Sequence, residues 1–321
     1  MQTEDTLILS DLHLGRPGFG IASAEGLRPL WRDVRRVIFN GDTAEVHHPR
    51  HRAVAARETI RLLDLCEQDG VEPVLLSGNH DPYVSDVRHL ELANRQVFIT
   101  HGDVFHPAIA PWSPRAGRMR AAHRAAMQAM RHDGGVNGRP RLGVEEQLRV
   151  AQHASHAEWD ELASEALHST VRAMLTRPWA VMQVLWYWNA FPNLAARFAV
   201  EHELPARFLI TGHTHHPGAW ETAGRTIINT GSFGFPGRPL AVRIGRQALT
   251  VHRVIRHGAR FVLEESPRRL YSLRPTSEDR PRPMAADTRE VRSRLSAEAM
   301  RVPASSRASR RTPVVTPIRS Q

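Results

Sequence analysis

Three observations on this 321-residue sequence predict an α/β fold. Through the first hundred residues, short apolar runs that end in polar or glycine residues alternate with stretches of helical periodicity. Alternating units of this kind build sheets covered by helices. Near the far end, RTIINTGS, PLAVRIG and ALTVHRVI read as antiparallel strands parted by Gly and Pro turns, the far half of a sheet sandwich. The length is also enough to bury a substantial core.

In chain order, the spacing predicts strands over residues 6–10, 36–40, 71–77, 96–100 and 207–211, each ending beside Asp, Asn or His. Residues 1–104 and 204–264 therefore read as one catalytic domain. Between them, 105–203 read as a helical insertion, or cap. Its first helix, over 115–131, gathers Met119, Ala122, Ala126, Met127 and Met130 on one face and arginines on the other. A long helix is expected over 144–176, and a third begins at Pro178 and is broken or kinked at Pro192. From 265 to 321 the chain is rich in Arg, Pro and Ser and reads as a disordered tail, with a short helix allowed at 288–301.

Composition narrows the class. The single cysteine, Cys66, excludes an intramolecular disulfide and a thiolate metal cluster and reads as a small core residue. Net charge is +10, but residues 266–321 hold 13 Arg against 5 acids, so the body is nearly neutral and a nucleic-acid partner is not favoured. The acidic N-terminus lacks the pattern of an export signal, and the apolar run 179–188 falls short of the roughly 20 residues that span a bilayer. A cytoplasmic protein without a transmembrane segment is expected, with peripheral membrane contact left open through the basic tail or the aromatic run Trp179, Trp186, Tyr187, Trp188 and Phe191. For that run, burial against the other insertion helices is the preferred reading.

Five short motifs carry the chemistry: Asp11-Leu-His13, Gly41-Asp42-Thr-Ala-Glu45, Gly78-Asn79-His80-Asp81, His101-Gly-Asp103 and Gly212-His213-Thr-His215. Side chains at i and i+2 beyond a strand point the same way, so Asp11 and His13 can reach one ion, and His213 and His215 repeat that geometry. Imidazole, carboxylate and amide ligands without thiolate suit Mn, Fe, Zn or Co, with Mn favoured.

These motifs, in this order, resemble the calcineurin-like metallophosphoesterases over residues 5 to about 256. The resemblance implies a four-layer αββα sandwich and two divalent metal ions. It assigns Asp11, His13, Asp42 and His215 to the first ion and Asp42, Asn79, His101 and His213 to the second, with Asp42 bridging. It further implies hydrolysis of a phosphate ester by a metal-bridging hydroxide. His80 is expected to act beside the ions as hydrogen-bond and proton donor, with Asp81 orienting its imidazole. Glu45, Asn229, Gly231 and Ser232 are expected to shape the surroundings, while His47, His48, His51, His106 and His216 lie outside the ligand pattern.

Between Arg115 and Arg141 stand seven arginines and one acid, a cluster suited to phosphate groups. A helical insertion after a His-Gly-Asp motif is similar to UDP-2,3-diacylglucosamine hydrolases. The likeness is partial, because those enzymes carry Arg in the third motif where this chain has His80. The expected substrate is thus a phosphate ester or pyrophosphate, small or lipid-linked. A nuclease of the same family and a non-catalytic metal-binding scaffold are the alternatives, and the oligomeric state is open.

Overall fold

The structure, a computed structural model, describes residues 5–16, 18–132, 142–159, 178–234, 237–274 and 288–300. Two sheets face each other. The larger runs β11 (Arg260–Leu263), β10 (Ala248–His257), β9 (Leu240–Ile244), β1 (Thr6–Leu9), β2 (Arg36–Asn40) and β3 (Glu72–Leu76), with β12 (Arg269–Ser272) also pairing β10. The smaller runs β4 (His89–Leu92), β5 (Val97–Thr100), β6 (Phe208–Thr211), β8 (Arg225–Asn229) and β7 (Gly218–Thr222). β1, β2 and β3 are parallel to one another, as are β5, β6 and β8.

Strand side chains alternate between faces, and the layers follow from that period of two. On the larger sheet Leu7, Leu9, Val37, Phe39 and Leu75 point outward, to helix α1 (Arg52–Gln68) and a 3-10 helix at Ala24–Trp31. Ile8, Ile38, Val74 and Leu76 point inward and meet Val97, Ile99, Phe208, Ile210 and Ile228 of the smaller sheet. On that sheet's far face Phe98, Leu209 and Ile227 join Phe191, Ala195 and Phe198 of an insertion helix. Full burial of one such side chain is worth about 1.5–3 kcal/mol, and a register slip of one residue would turn every one of them to the wrong face. The layer order is therefore helix, sheet, sheet, helix, as expected. Cys66, on α1, is fully buried and its thiol is pushed up by burial.

The insertion supplies α2 (Ala116–His132), α3 (Val144–Trp159) and α4 (Pro178–Glu201). Met119 is fully buried while Arg118, Arg120 and Arg124 are exposed, as the periodicity requires. The expected helix beyond Trp159, and Arg139 and Arg141 of the arginine cluster, lie outside the described residues. In the aromatic run, Tyr187 and Phe191 are buried, whereas Trp179 and Trp186 are 48% and 54% exposed. Among the described residues no helix is long and apolar enough to cross a membrane.

The observed elements add to or depart from the expected ones in four places. The break or kink expected at Pro192 is not a break: α4 continues to Glu201, held by buried Phe191, Ala195, Ala196 and Phe198 on either side of the proline. The stretch 225–232 does not pair antiparallel with 239–245; β8 lies parallel to β6 in the smaller sheet, and the chain then crosses to the larger sheet for β9. β4 and β7, unread in the sequence, complete the smaller sheet's edges. In the tail, Arg269–Ser272 pairs with β10, and the helix allowed at 288–301 is present as α5 (Thr288–Ala299), which packs on α1 through buried Val291 and Leu295.

Candidate metal centre

The carboxyl ends of β1, β2 and β3 meet those of β5 and β6, and all five motifs sit in the loops that leave them. These loops turn sharply. Asp11 (φ +53°), His13 (+49°), Asp42 (+50°), His213 (+71°) and His215 (+56°) all adopt the left-handed backbone, which costs a residue with a Cβ roughly 1–2 kcal/mol. Cross-loop hydrogen bonds hold them there: His13 N–H donates to Asp42 C=O (3.0 Å), Leu14 N–H to Thr43 C=O (3.0 Å), and His213 N–H to Asp11 Oδ1 (3.0 Å). Gly212 permits the close approach, because a Cβ there would lie 2.2 Å from Asp11 Oδ2.

The expected ligands gather into two groups. Asp11, His13 and His215 form one: His13 Nε2 lies 3.0 Å from His215 Nε2, which is 3.3 Å from Asp11 Oδ1. Asp42, His101 and His213 form the other: His101 Nε2 is 3.2 Å from Asp42 Oδ2, and Asn79 Oδ1 lies 3.3 Å from His101 Nε2 and 2.9 Å from His213 Nδ1. Asp11, His13, Asp42, Asn79, His101 and His213 are buried; His215 and His80 are the partly exposed members, each 16% exposed at the side chain, and mark the mouth.

The donor set fits cations on its own chemistry. A backbone carbonyl only accepts, so His101 must donate Nδ1–H to Asn40 C=O (3.0 Å) and His213 must donate Nε2–H to Ile109 C=O (3.0 Å). In the neutral rings, the lone pairs of His101 Nε2 and His213 Nδ1 then face carboxylate and amide oxygens that are acceptors too. Burial disfavours a charged His101, but the Asp42 carboxylate outweighs burial and raises its pKa to about 10. Burial and the neighbouring His101 drive His213 down to about 4. A proton on His101 answers part of the demand for positive charge; divalent ions answer it fully.

His80 stands beside both groups. Its N–H donates to Asp42 Oδ1 (2.8 Å), its Nδ1 meets Glu45 Oε2 (3.1 Å), and its Nε2 lies 4.0 Å from Asp42 Oδ2. Glu45 is fully buried, and its other oxygen takes His13 Nδ1 (3.0 Å) and Arg16 Nη1 (3.3 Å). Burial opposes its charge, yet His80 and His13 hold its carboxyl well below the usual range.

The expected role of Asp81 is corrected. Its two oxygens accept the N–H groups of Gly78 (2.8 Å), Asp42 (3.0 Å), Thr43 (2.7 Å) and Ala44 (3.3 Å), so it ties the second and third motifs together. The carboxylate on the His80 imidazole is that of Glu45. Burial, and then the charge of Asp42, raise Asp81 to about 7.

The residues outside the ligand pattern have identifiable places. Asn229 donates to Gly212 C=O and to Thr214 Oγ1 (3.0 Å), Gly231 N–H donates to Asn229 Oδ1 (2.9 Å), and Ser232 Oγ donates to Asp11 C=O (3.2 Å). His47 lies against Tyr83 and His156, His48 against His51, and His216 stacks on Trp188. His106 Nδ1 accepts Ala108 N–H (3.1 Å). The carbonyls of Asn40 and Ile109 were invisible to sequence reading, since backbone acceptors leave no residue signature.

No family model matches the sequence, and no curated protein matches it. Among solved structures, the chain is similar to Vacuolar Protein Sorting 29 from Cryptosporidium parvum, with 11% identity, a TM-score of 0.38, and coverage of 85% of this chain and 100% of that one. It is also similar to a conserved uncharacterized protein of Streptococcus pneumoniae described as a predicted phosphoesterase, with 15% identity, a TM-score of 0.37, and 85% and 99% covered. Vps29 from Entamoeba histolytica complexed with Zn has 12% identity, a TM-score of 0.39, and 84% and 99% covered. Likenesses this remote say nothing about the chemistry of this chain.

Proposed function

We propose that this protein is a phosphoester hydrolase, a phosphodiesterase or pyrophosphatase, that works with two divalent metal ions, Mn being the preferred choice. The observation that carries the reading is the meeting of two donor groups, Asp11/His13/His215 and Asp42/Asn79/His101/His213, beside the partly exposed His80. Two ions in such a site supply a nucleophile at neutral pH and charge stabilisation for an in-line displacement at phosphorus. Asp42, whose Oδ1 accepts the backbone N–H of His80 (2.8 Å) and whose Oδ2 lies 3.2 Å from His101 Nε2, is the carboxylate that would serve both ions.

The chain's own part in the reaction falls to His80. With Nδ1 against Glu45 Oε2 (3.1 Å), a His80 ring carrying a proton on Nε2 would donate it to a phosphoryl oxygen. As the bond from phosphorus to the leaving oxygen breaks, that proton passes to the leaving group. Buried Glu45 places a negative charge beside the ring, and Asp81 holds the Asp42–Ala44 backbone still. The exposed arginines of α2, Arg118, Arg120 and Arg124, suit substrates with further phosphates, which include lipid-linked nucleotides of the UDP-2,3-diacylglucosamine type in a cytoplasmic setting.

The test is hydrolysis of bis(p-nitrophenyl) phosphate by the Mn-loaded chain. Asp42→Ala should abolish turnover, and His80→Ala should lower kcat by about 10²- to 10⁴-fold. Wild-type protein that binds two ions and hydrolyses neither this diester nor a pyrophosphate would overturn the reading in favour of a metal-binding scaffold.

A further inference from the structure

We propose that the insertion is a working part of the metal centre, with Ile109 as the positioning residue that sets His213 for the second ion. The inference rests on the metal reading given above and adds to it where control of that ion lies.

Ile109 is the strained point. A β-branched residue at positive φ is a genuine outlier, and Ile109 has φ +53° while fully buried. Such a conformation persists only where its surroundings over-determine it. The turn is built by His106, whose C=O accepts Ile109 N–H (2.8 Å) and whose Nδ1 accepts Ala108 N–H (3.1 Å). The side chain of Ile109 is held in a small buried cluster with Ala110, Met119 of α2 and Ala154 of α3. What the strain achieves is the direction of one carbonyl, which takes His213 Nε2–H at 3.0 Å and leaves Nδ1 directed at Asn79 Oδ1.

A second contact from the insertion lands on the same turn. Trp188 of α4 donates Nε1–H to Thr214 C=O (2.8 Å), and its ring lies on His216 at 4.5 Å and 12°. The insertion thus grips residues 213, 214 and 216. In the first group His13 is tied to the core through Glu45, Asp11 receives the backbone N–H of His213, and His215 shares the gripped turn. Because the Ile109 carbonyl meets the His213 ring, packing of α2 and α3 on Ile109 should govern the second ion and spare the first. Loss of an outer partner of a ligating histidine costs about 10–100-fold in metal affinity, and by linkage the ion in turn stabilises the docked insertion.

The experiment uses the full chain, with Mn titration to resolve the two affinities and ¹⁵N NMR of the metal-free protein to read the His213 tautomer. Met119→Ala and Ile109→Ala should weaken the second ion about 10–100-fold, leave the first within about two-fold, and mix the His213 tautomers. Met119→Leu, which keeps the volume, should restore both readouts. Should Met119→Ala fail to fold, Met119→Val, a smaller truncation in the same cluster, replaces it with the same direction expected. Wild-type affinities for both ions with an unchanged tautomer in the variants would overturn the proposal. Equal loss of both ions would do the same. If wild type binds no ion, the metal reading fails by itself, and an unchanged tautomer in the variants would then show that the packing does not set His213 either.

Discussion

Glu45 and His80 come from different motifs and meet through a 3.1 Å contact between Oε2 and Nδ1, while the other Glu45 oxygen lies 3.0 Å from His13 Nδ1. One buried carboxylate thus touches a metal-ligand candidate and the proposed proton donor together. Glu45→Gln keeps the shape and removes the negative charge beside the His80 ring. Turnover of the diester should fall by about 10–100-fold, with weaker binding at the Asp11/His13/His215 group. Steady-state kinetics alongside Mn titration checks both, and a variant with wild-type kcat would show that the contact is incidental.

Gly212 is fixed by space. A Cβ there would lie 2.2 Å from Asp11 Oδ2 and 2.5 Å from Ser10 Oγ, both buried. Gly212→Ala should displace Asp11 and remove activity while the far-UV circular dichroism stays native. Gly117→Ala meets nothing within 4 Å on the exposed side of α2 and serves as the control. Its expected effect is unchanged activity and stability equal or higher by about 0.5–1 kcal/mol.

Leu295 of α5 is 2% exposed against α1. Leu295→Ala should lower unfolding free energy by about 2–4 kcal/mol, the range for a buried leucine. Urea denaturation measures it, and a shift below about 0.5 kcal/mol, the scale of an ordinary surface change, would mean that α5 does not stay docked in solution.

Burial first, and then neighbouring His51, lower His48 to about 4 from its ordinary 6.5. The folded chain keeps this imidazole neutral while the unfolded chain protonates it, so stability drains away as pH falls from 6.5 towards 4. His48→Asn keeps an acceptor for Arg50 N–H, which His48 Nδ1 accepts at 3.2 Å. The drop in urea midpoint between pH 7 and pH 5, measured on chelator-treated protein, should be smaller in the variant. Equal drops would show that His48 is not responsible.

The candidate ligands are legible because each is a polar residue at a strand end that packing does not require. Short apolar runs that end in polar or glycine residues likewise exposed β1, β2, β3, β5 and β6. What stayed hidden depended on partners far away in sequence. β4 reads poorly because all four of its residues are only partly buried at a sheet edge. The partner of β8 is invisible because alternation defines a strand without naming its neighbour. Asp81 looked like a partner for the adjacent His80, but four amides from two loops claim its carboxylate. The docking of α5, not the helix itself, was masked by its arginines: Arg292 and Arg294 reach Asp64, Glu67 and Asp86 on the body while Val291 and Leu295 face inward.

The left-handed turns at Asp11, His13, Asp42, His213 and His215 bear on protein engineering. A designer who copied the seven candidate ligands onto another α/β scaffold would transplant only half of the instruction. The other half lies in the loops that hold five of those residues where amino acids with side chains seldom rest. Without the surrounding amide contacts and the insertion behind His213, the grafted residues would relax to ordinary backbone and their donor atoms would swing apart. The transferable unit is the set of loops together with the packing that holds them.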